Sequence, residues 1–317
     1  MLTINFVFYL DFLVFAIFSS LLITEIMGAI ILLAWWKRYR RTVLHYIVPV
    51  WEVTGTFGAF WVVLSDFAFP GVLIPLAGLY AGAIMIFLIL FVARNSTIVF
   101  GEYIIKKGWL DERKLYAGYS VSTIFIGIVV LYVLSGVIGG VGISLATLQV
   151  NAFAWLYNPA DIIFVVGALI LIVGLAPVFY GAEEMKIASL IITPVGLAVS
   201  LVSLYMFQGS SLSYLVAIPV VLSLLPAVLF NMEEFSSLVR NKAFFIAWLS
   251  VDLFSLNFLV YPDAFGMSLP VDSLTTSGSM AVAYFDITLV GGILLAVLIS
   301  LYALAAGRRA RASGAGA

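Results

Sequence analysis

The stretch RRTVLHYIVPVWEVTGTFGAFWVVLSD, residues 40–66, decides how the chain is interpreted. Two arginines precede an apolar run that is long enough to cross a bilayer as a helix. Glu52 lies about ten residues inside that run. A carboxylate in the hydrocarbon core of a membrane is costly, so an acidic residue at this depth indicates a functional site.

A second acidic residue, Glu25, lies at a similar depth in the preceding apolar run. The segment between the runs is short, so we expect two adjacent antiparallel helices with both carboxyls roughly 15–17 Å from the same end. Two close carboxyls cannot both ionise cheaply, so the pair is expected to hold a proton, with Thr24 as a hydrogen-bonding neighbour. The alternative is a neutral carboxylic acid that holds two helices together.

The composition indicates a helical membrane protein that crosses the bilayer many times. The chain has 317 residues, of which 64% are hydrophobic and 10% are charged, whereas soluble domains are nearer half apolar and a quarter charged. The net charge of −1 provides no basic surface for nucleic acid. The absence of cysteine excludes disulfides, thiolate metal sites and iron–sulfur clusters.

Hydrophobic runs predict an all-α integral membrane protein with nine transmembrane helices. The predicted spans are residues 6–36, 42–64, 71–93, 116–140, 160–182, 187–207, 213–232, 243–261 and 280–306. All 15 lysines and arginines, Arg94 among them, follow an odd-numbered span. The positive-inside rule then predicts a multi-pass protein of the cell membrane with its N-terminus outside and its C-terminus in the cytoplasm.

Other polar residues fall inside or beside the predicted spans. Asp252 lies midway along the eighth span and is a second candidate for proton or ion binding, or for a hydrogen bond between helices. Asp11 and Asp161 lie near the outer ends of their spans, where we expect them to be hydrated. The single histidine, His45, cannot supply both axial ligands of a bis-histidine haem, and a polar role at the membrane interface is preferred.

Several motifs resemble subunit II of cytochrome bd-type quinol oxidases. The main one is a pair of arginines, a five-residue spacer and an Ile-x-Pro-x-Trp-acid element, here Arg40, Arg41, Ile47, Pro49, Trp51 and Glu52. Thr24-Glu25 with Gly28, an arginine closing the third span and Asn158-Pro159 resemble further family elements. The family has aspartate where this chain has Glu25 and Glu52, and Val53-Thr54 replaces its Gly-Asn, so the chain is a divergent member.

The resemblance implies a fold, a partner and a site. The fold would be two four-helix bundles, residues 1–140 and 160–261, with a peripheral helix at 280–306. The partner would be a haem-bearing subunit I that carries haem b and haem d, oxidises quinol and reduces oxygen in the respiratory chain. This chain would hold no haem or metal, would contact membrane lipid and could bind a quinone or lipid. It would contribute a proton path from the cytoplasm past His45 through Glu52 and Glu25.

Two alternatives come from other functional classes. One is a proton- or cation-coupled transporter in which Glu25, Glu52 and Asp252 bind the ion. The other is a structural anchor of a different cytochrome b-type redox complex.

Overall fold

A computed structural model describes residues 2–70, 77–103, 111–144, 147, 149–209, 214–260, 276, 279–294 and 297. This part of the chain is helical apart from turns and one two-stranded hairpin. Six of its helices are long and apolar enough to cross a membrane. The predicted all-α class is therefore confirmed.

Helix α1 spans Leu2–Ala68 and folds back on itself at Trp35, whose φ of −133° and ψ of 42° interrupt the helix. Residues 2–34 form its first arm and residues 36–68 its second arm. The arms pack against each other, because the Oγ1 of Thr24 lies 2.7 Å from the Oη of Tyr46. The expected loop between the first two spans is wrong, since the chain is helical directly on both sides of Trp35.

The two ends of the molecule are named from this hairpin: the bend end lies at Trp35, and the far end is opposite. The longer of the remaining helices run between the ends, and short helices lie between some of them. They are α2 (Ala81–Tyr103), α3 (Glu112–Gly139), α4 (Ala152–Leu156), α5 (Pro159–Tyr180), α6 (Lys186–Gln208), α7 (Ala217–Asn231), α8 (Glu233–Val239), α9 (Lys242–Ser255), α10 (Asn257–Val260) and α11 (Ser279–Leu294). Short 3-10 turns cover Glu183–Met185 and Tyr214–Val216.

A small antiparallel hairpin, which the sequence analysis did not predict, lies at the far end between α3 and α4. Strand β1 (Ile143–Ser144) pairs with β2 (Gln149–Val150). Gly140 ends α3 in the left-handed conformation with φ of 67°, which turns the chain into the hairpin.

Helices α5 and α6 approach closely because glycines line their contact. A Cβ atom at Gly174 would lie 2.6 Å from the backbone nitrogen of Thr193, and one at Gly196 would lie 2.3 Å from that of Leu171. No side chain fits in these positions. Small residues at such contacts let membrane helices gain van der Waals packing.

Salt bridges join the elements at the bend end. Arg38 contacts Glu184 with Nε 3.2 Å from Oε1, and Arg40 contacts Glu112 with Nη2 2.7 Å from Oε2. The arginines are largely exposed, so each pair contributes at most about 1 kcal/mol to stability. Their main consequence is positional, because they fix the α1 bend against the starts of α6 and α3.

Helix α11 packs against both arms of α1. Tyr284 and Ala281 are buried in a cluster with Val14 and Leu64. The hydroxyl of Tyr284 also reaches the carboxyl of Asp11 at 3.4 Å. The described part of the last span is therefore attached to the hairpin that carries Glu25 and Glu52.

Candidate functional site

Glu25 lies inside the helix bundle and forms a salt bridge with Arg94. Their side chains are 0% and 1% exposed, and Arg94 Nη2 donates to Glu25 Oε2. The hydroxyl of Tyr119 on α3 donates to the same oxygen at 2.6 Å. Three helices thus meet at one carboxylate, since α1 supplies the acid, α2 the cation and α3 the hydroxyl. Glu25 pairs with Arg94 rather than with Glu52.

Arg94 reaches this position because α2 continues well beyond the predicted end of the third span. The helix runs to Tyr103, so Arg94 is an internal residue and does not lie in a loop. Its guanidinium carbon lies 5.6 Å from the ring centroids of Phe91 and Tyr119, and Nη1 donates to Asn95 at 3.0 Å. Aromatic faces and an amide therefore enclose the cation on the sides that Glu25 leaves free.

One oxygen of the Glu25 carboxylate is left over. Oε1 is buried and has no hydrogen-bond partner within the described ranges, and neither has Nε of Arg94. Breaking a buried ion pair costs several kcal/mol, so Arg94 holds Glu25 in place through Oε2. A proton or water that reaches the site can bind at Oε1.

Hydroxyl groups lie beside Glu25 in the bundle. Thr24 is buried, and its Oγ1 donates to the carbonyl of Leu21 as well as contacting Tyr46. The hydroxyl of Tyr180 donates to the carbonyl of Thr24 at 3.1 Å. Polar atoms from α1 and α5 thus form a continuous buried group next to Glu25.

Gly28 makes this arrangement possible. A Cβ atom there would lie 2.5 Å from the Oη of Tyr180 and 2.6 Å from the Cδ1 of Ile47. Such distances are impossible for a real methyl group, so glycine is required for Tyr180 to approach the first arm. The Thr24-Glu25-x-x-Gly28 pattern therefore has a packing role at the site.

Glu52 has a different environment, since its side chain is exposed on the surface of the chain. Thr24 lies opposite Tyr46, and Gly28 opposite Ile47. Glu52 is therefore about one helical turn, roughly 5 Å, further from the bend than Glu25. The expectation that both carboxyls share one buried site at equal depth is wrong.

Glu52 belongs to a polar stripe along the outward face of the second arm. The stripe consists of His45, Glu52, Thr56 and Asp66, all of which are exposed. At 100° per residue these positions fall within about 80° of one another around the helix axis. We call this surface the Glu52 stripe. The predicted site residues therefore separate into a buried group, Thr24 and Glu25, and an exposed group, His45 and Glu52.

Asp252 occupies a third place, on α9. It is 6% exposed, and the hydroxyl of Ser223 donates to its Oδ2 at 2.7 Å. Two residues before Asp252, the hydroxyls of Ser250 and Ser20 lie 2.9 Å apart, which connects α9 to the first arm. Asp252 does not bond to either glutamate in the described residues, so any role of its own is separate from theirs.

A cavity of about 160 Å³ lies beside Asp252 among α1, α3, α5, α6, α7 and α9. Hydrocarbon side chains form nearly all of its wall. The polar exceptions include Asp252, Ser223 and Ser19, whose buried hydroxyl has no hydrogen-bond partner among the residues described. Cavities of about this size lined by apolar side chains stay dry and bind small apolar groups.

The fold is similar to that of a chain in a solved structure, described as the structure of bd oxidase from Geobacillus thermodenitrificans. The TM-score is 0.67 and the sequence identity 17%, and the match covers 96% of this chain and 98% of that one. The chain has a bd oxidase fold. No protein-family model and no curated protein matches the sequence.

The similarity supports the likeness to bd oxidase that the motifs at residues 40–52 indicated, and the six long apolar helices agree with a multi-pass membrane protein. Two further acids differ from their prediction. Asp11 is buried and accepts hydrogen bonds from Trp61 at 3.3 Å and Ser65 at 3.0 Å. Asp161 is buried as well. Both are enclosed by the chain instead of being open to bulk solvent, because the second arm of α1 and α11 bond to Asp11 and the side chain of Asn158 bonds to Asp161.

The sequence analysis placed Arg94 with the loop cations and missed its pairing with Glu25. A weak signal was present, because neither glycine nor proline stands between Arg94 and Phe100 to end the helix, although the three residues after Arg94 are polar. Across the ranges that the structure covers, no three His, Cys, Asp or Glu residues come together as metal ligands do.

Proposed function

We propose that the chain is the non-haem subunit II of a bd-type quinol:oxygen oxidoreductase in a respiratory chain. The observation that carries this proposal is the match to a bd oxidase chain over nearly the full length of both chains. The motif at residues 40–52 and the acids at positions 25 and 52 support the assignment to subunit II. The chain would be part of the enzyme without being catalytic alone.

The proposed topology has nine membrane-crossing helices. The two arms of α1 count separately, and α2, α3, α5, α6, α7, α9 and α11 supply the others. The bend end would face the cytoplasm, because Lys37, Arg38, Arg40 and Arg41 cluster there. The two predicted bundles, 1–140 and 160–261, and the peripheral helix 280–306 belong to this proposal.

The Glu52 stripe is the proposed contact with the haem-bearing subunit I. A carboxylate exposed to lipid halfway along a membrane helix would cost several kcal/mol. A protein partner that offers hydrogen bonds or water removes that cost. The partner would carry haem b and haem d and would bind quinol, whereas this chain, with one histidine on the stripe, would bind no haem.

Two polar tracks begin at the bend end, on opposite sides of the second arm. Neighbouring residues start them: His45 faces outward toward Glu52, whereas Tyr46 faces inward toward Thr24 and Glu25. We propose that protons for oxygen reduction enter from the cytoplasm at this point. In this proposal Glu52 passes the protons along the subunit interface, and Glu25 holds one proton inside the helix bundle.

At Glu25 the proton would bind at Oε1. Arg94 and Tyr119 occupy Oε2, so they fix the orientation of the carboxyl while Oε1 gains and loses the proton. Arg94 and Tyr119 are therefore positioning residues in this proposal.

The cavity beside Asp252 is the proposed place for part of the hydrocarbon tail of a bound lipid or quinone, because about 160 Å³ holds only a small apolar group. Its apolar wall fits a hydrocarbon group, and the unpartnered hydroxyl of Ser19 can bond to a polar atom at one side. Such a molecule would fill the space among six helices and stabilise the chain. No proton-transfer step depends on it.

Purification of the tagged chain from its native membranes tests the proposed function. We expect a second, haem-bearing membrane polypeptide to copurify, with haem absorption bands and quinol-dependent oxygen consumption. Proton or cation flux in liposomes that contain the chain alone would instead favour a transporter. Copurification with a cytochrome b complex that does not reduce oxygen would favour a structural anchor.

A further inference from the structure

Asp161 lies in the first turn of α5, at the far end of the molecule, and is 0% exposed. The amide nitrogen of Asn158 donates to its Oδ2 at 2.7 Å. Its Oδ1 is buried and has no hydrogen-bond partner in the described part of the chain. The hydroxyl of Ser135 lies nearby but donates to the carbonyl of Tyr132 at 2.8 Å.

Two buried donors without an acceptor lie close to this carboxyl. The Oη of Tyr80 and the Nε1 of Trp155 belong to residues that are 6% and 7% exposed, and both lack a partner among the residues that can be described. Both atoms converge on Gly136, where a Cβ would lie 2.9 Å from the first and 3.1 Å from the second. The two donors are therefore within about 6 Å of each other. Asp161 lies in the same region, because Asn158, whose side chain donates to Asp161, also donates its backbone N–H to the carbonyl of Trp155 at 3.3 Å.

The three groups are complementary, since two of them donate and one accepts. Each buried polar group left unpaired would cost about 1–3 kcal/mol. A cation is a poor occupant because the indole N–H can only donate, and an anion is a poor occupant because of Asp161. Water fits best, because water can accept hydrogen bonds from the tyrosine and the tryptophan and can donate to the carboxylate.

An approach for water exists on the same side. An open cleft of about 340 Å³ is lined by residues of the β1–β2 hairpin and of α4, among them Gly142, Asn151 and Ala154. Trp155 lies directly beneath it, because a Cβ at Gly142 would lie 2.8 Å from the Trp155 backbone nitrogen. Ile143, which also lines the cleft, has its Cδ1 3.3 Å from the Cβ position at Gly136 on which the two donors converge, so one side chain of the cleft wall borders the buried donors.

We propose that Tyr80, Trp155 and Asp161 bind ordered water at the far end of the molecule, through which Asp161 exchanges its proton with the adjacent aqueous phase. This site lies at the opposite end from the track that leads to Glu25. It does not depend on the oxidase proposal, because it uses only residues of this chain and holds for a transporter or an anchor as well.

A high-resolution cryo-EM map of the wild-type chain in its native complex tests the water directly. We expect density within hydrogen-bond distance of both Trp155 Nε1 and Asp161 Oδ1. A map in which no density lies between them, or in which a protein group bonds to either atom, would overturn the proposal.

Deuterium exchange of tryptophan N–H groups, followed by resonance Raman spectroscopy, tests access to the site. The Trp155→Phe and Trp248→Phe variants assign the signals, and Trp248 is the matched control because its Nε1 donates to the carbonyl of Leu222 at 2.9 Å. We expect Trp155 to exchange at least roughly tenfold faster than Trp248. Equal or slower exchange at Trp155 contradicts the proposal.

Infrared difference spectra on changing pH test the proton. The band of a protonated carboxyl should appear in the wild type as the pH falls and be smaller in Asp161→Asn. An unchanged band in that variant would show that Asp161 does not exchange its proton.

Discussion

Glu25 and Glu52 look alike in the sequence, but the structure gives them opposite surroundings. Each lies inside an apolar run, and each is followed three residues later by glycine. Glu25 faces into the bundle and is held by Arg94 and Tyr119. Glu52 faces outward on a stripe that the described part of the chain leaves uncovered.

The difference shows that depth along a helix and direction around it are separate properties. Depth can be counted from the apolar run, and it indicates that both acids are costly. The direction of a side chain around the helix axis depends on which helices pack on that side. This direction decides which group compensates the cost of burying the carboxylate. For Glu25 the chain supplies its own cation, whereas for Glu52 the compensation has to come from beyond the described residues.

Removing the cation should have the largest effect. Arg94→Gln leaves Glu25 buried without its opposite charge, so we expect a loss of about 3–5 kcal/mol in stability and low yield of the chain. The double variant Glu25→Gln with Arg94→Gln should recover much of this loss, because no buried charge remains. Thermal unfolding in detergent measures both. Equal instability of the single and double variants would contradict the ion-pair account.

Neutralising the exposed acid should affect activity and leave folding unchanged. In Glu52→Gln we expect quinol-dependent oxygen consumption by the native complex to fall at least roughly tenfold, since a positioned proton carrier contributes that much or more. Haem content and the unfolding temperature should stay at wild-type values. Asp286→Asn, which changes another exposed acid on α11, is the matched control and should retain full activity. Full turnover in Glu52→Gln would remove this residue from the proton path.

The glycines that follow the two acids provide a direct comparison of packing. Gly28→Ala should cost about 1–3 kcal/mol, because the added methyl would overlap Tyr180 and Ile47. Gly55→Ala should be neutral or slightly stabilising, since the nearest atom to its Cβ is Phe91 Cζ at 3.5 Å and alanine favours a helix. Unfolding temperatures of the two variants test this. Similar values for both would contradict the close packing around Glu25.

The smallest effect is expected at Asp11, a buried acid that is held by uncharged donors. Tyr284→Phe removes one of three hydrogen bonds to its carboxyl, so we expect a loss of about 1 kcal/mol in stability. Tyr157→Phe, at a residue that is 71% exposed, is the control and should change little. A loss as large as that of Arg94→Gln would show that Asp11 is not held as described.

Much of the fold could be predicted from the sequence because apolar runs of about 20 residues have few structural solutions in a membrane. The predicted spans at 116–140, 160–182 and 187–207 match α3, α5 and α6 within a few residues. The last span could be checked only over Ser279–Leu294, since most of its remainder lies outside the described residues. The tight reversal at Trp35 could not be predicted, because the residues around it include neither glycine nor proline.

The candidate site was predictable only in part. Glu25 and Glu52 could be predicted as site residues because a charged side chain is rare in an apolar run. The partner of Glu25 did not, because Arg94 lies 69 positions away and at the edge of the predicted span. The contact between Glu25 and Arg94 depends on how distant helices pack around Gly28 and Tyr119, and no local sequence pattern predicts that packing.

Cross-linking from position 52 tests the central claim most directly. The chain contains no cysteine, so Glu52→Cys carries a single site for a photoreactive maleimide, and Ile89→Cys on the exposed face of α2 provides the control. In native membranes we predict that the label at position 52 couples to a haem-bearing polypeptide. Coupling to lipid alone at both positions would contradict the account, because Glu52 would then face the bilayer without a partner.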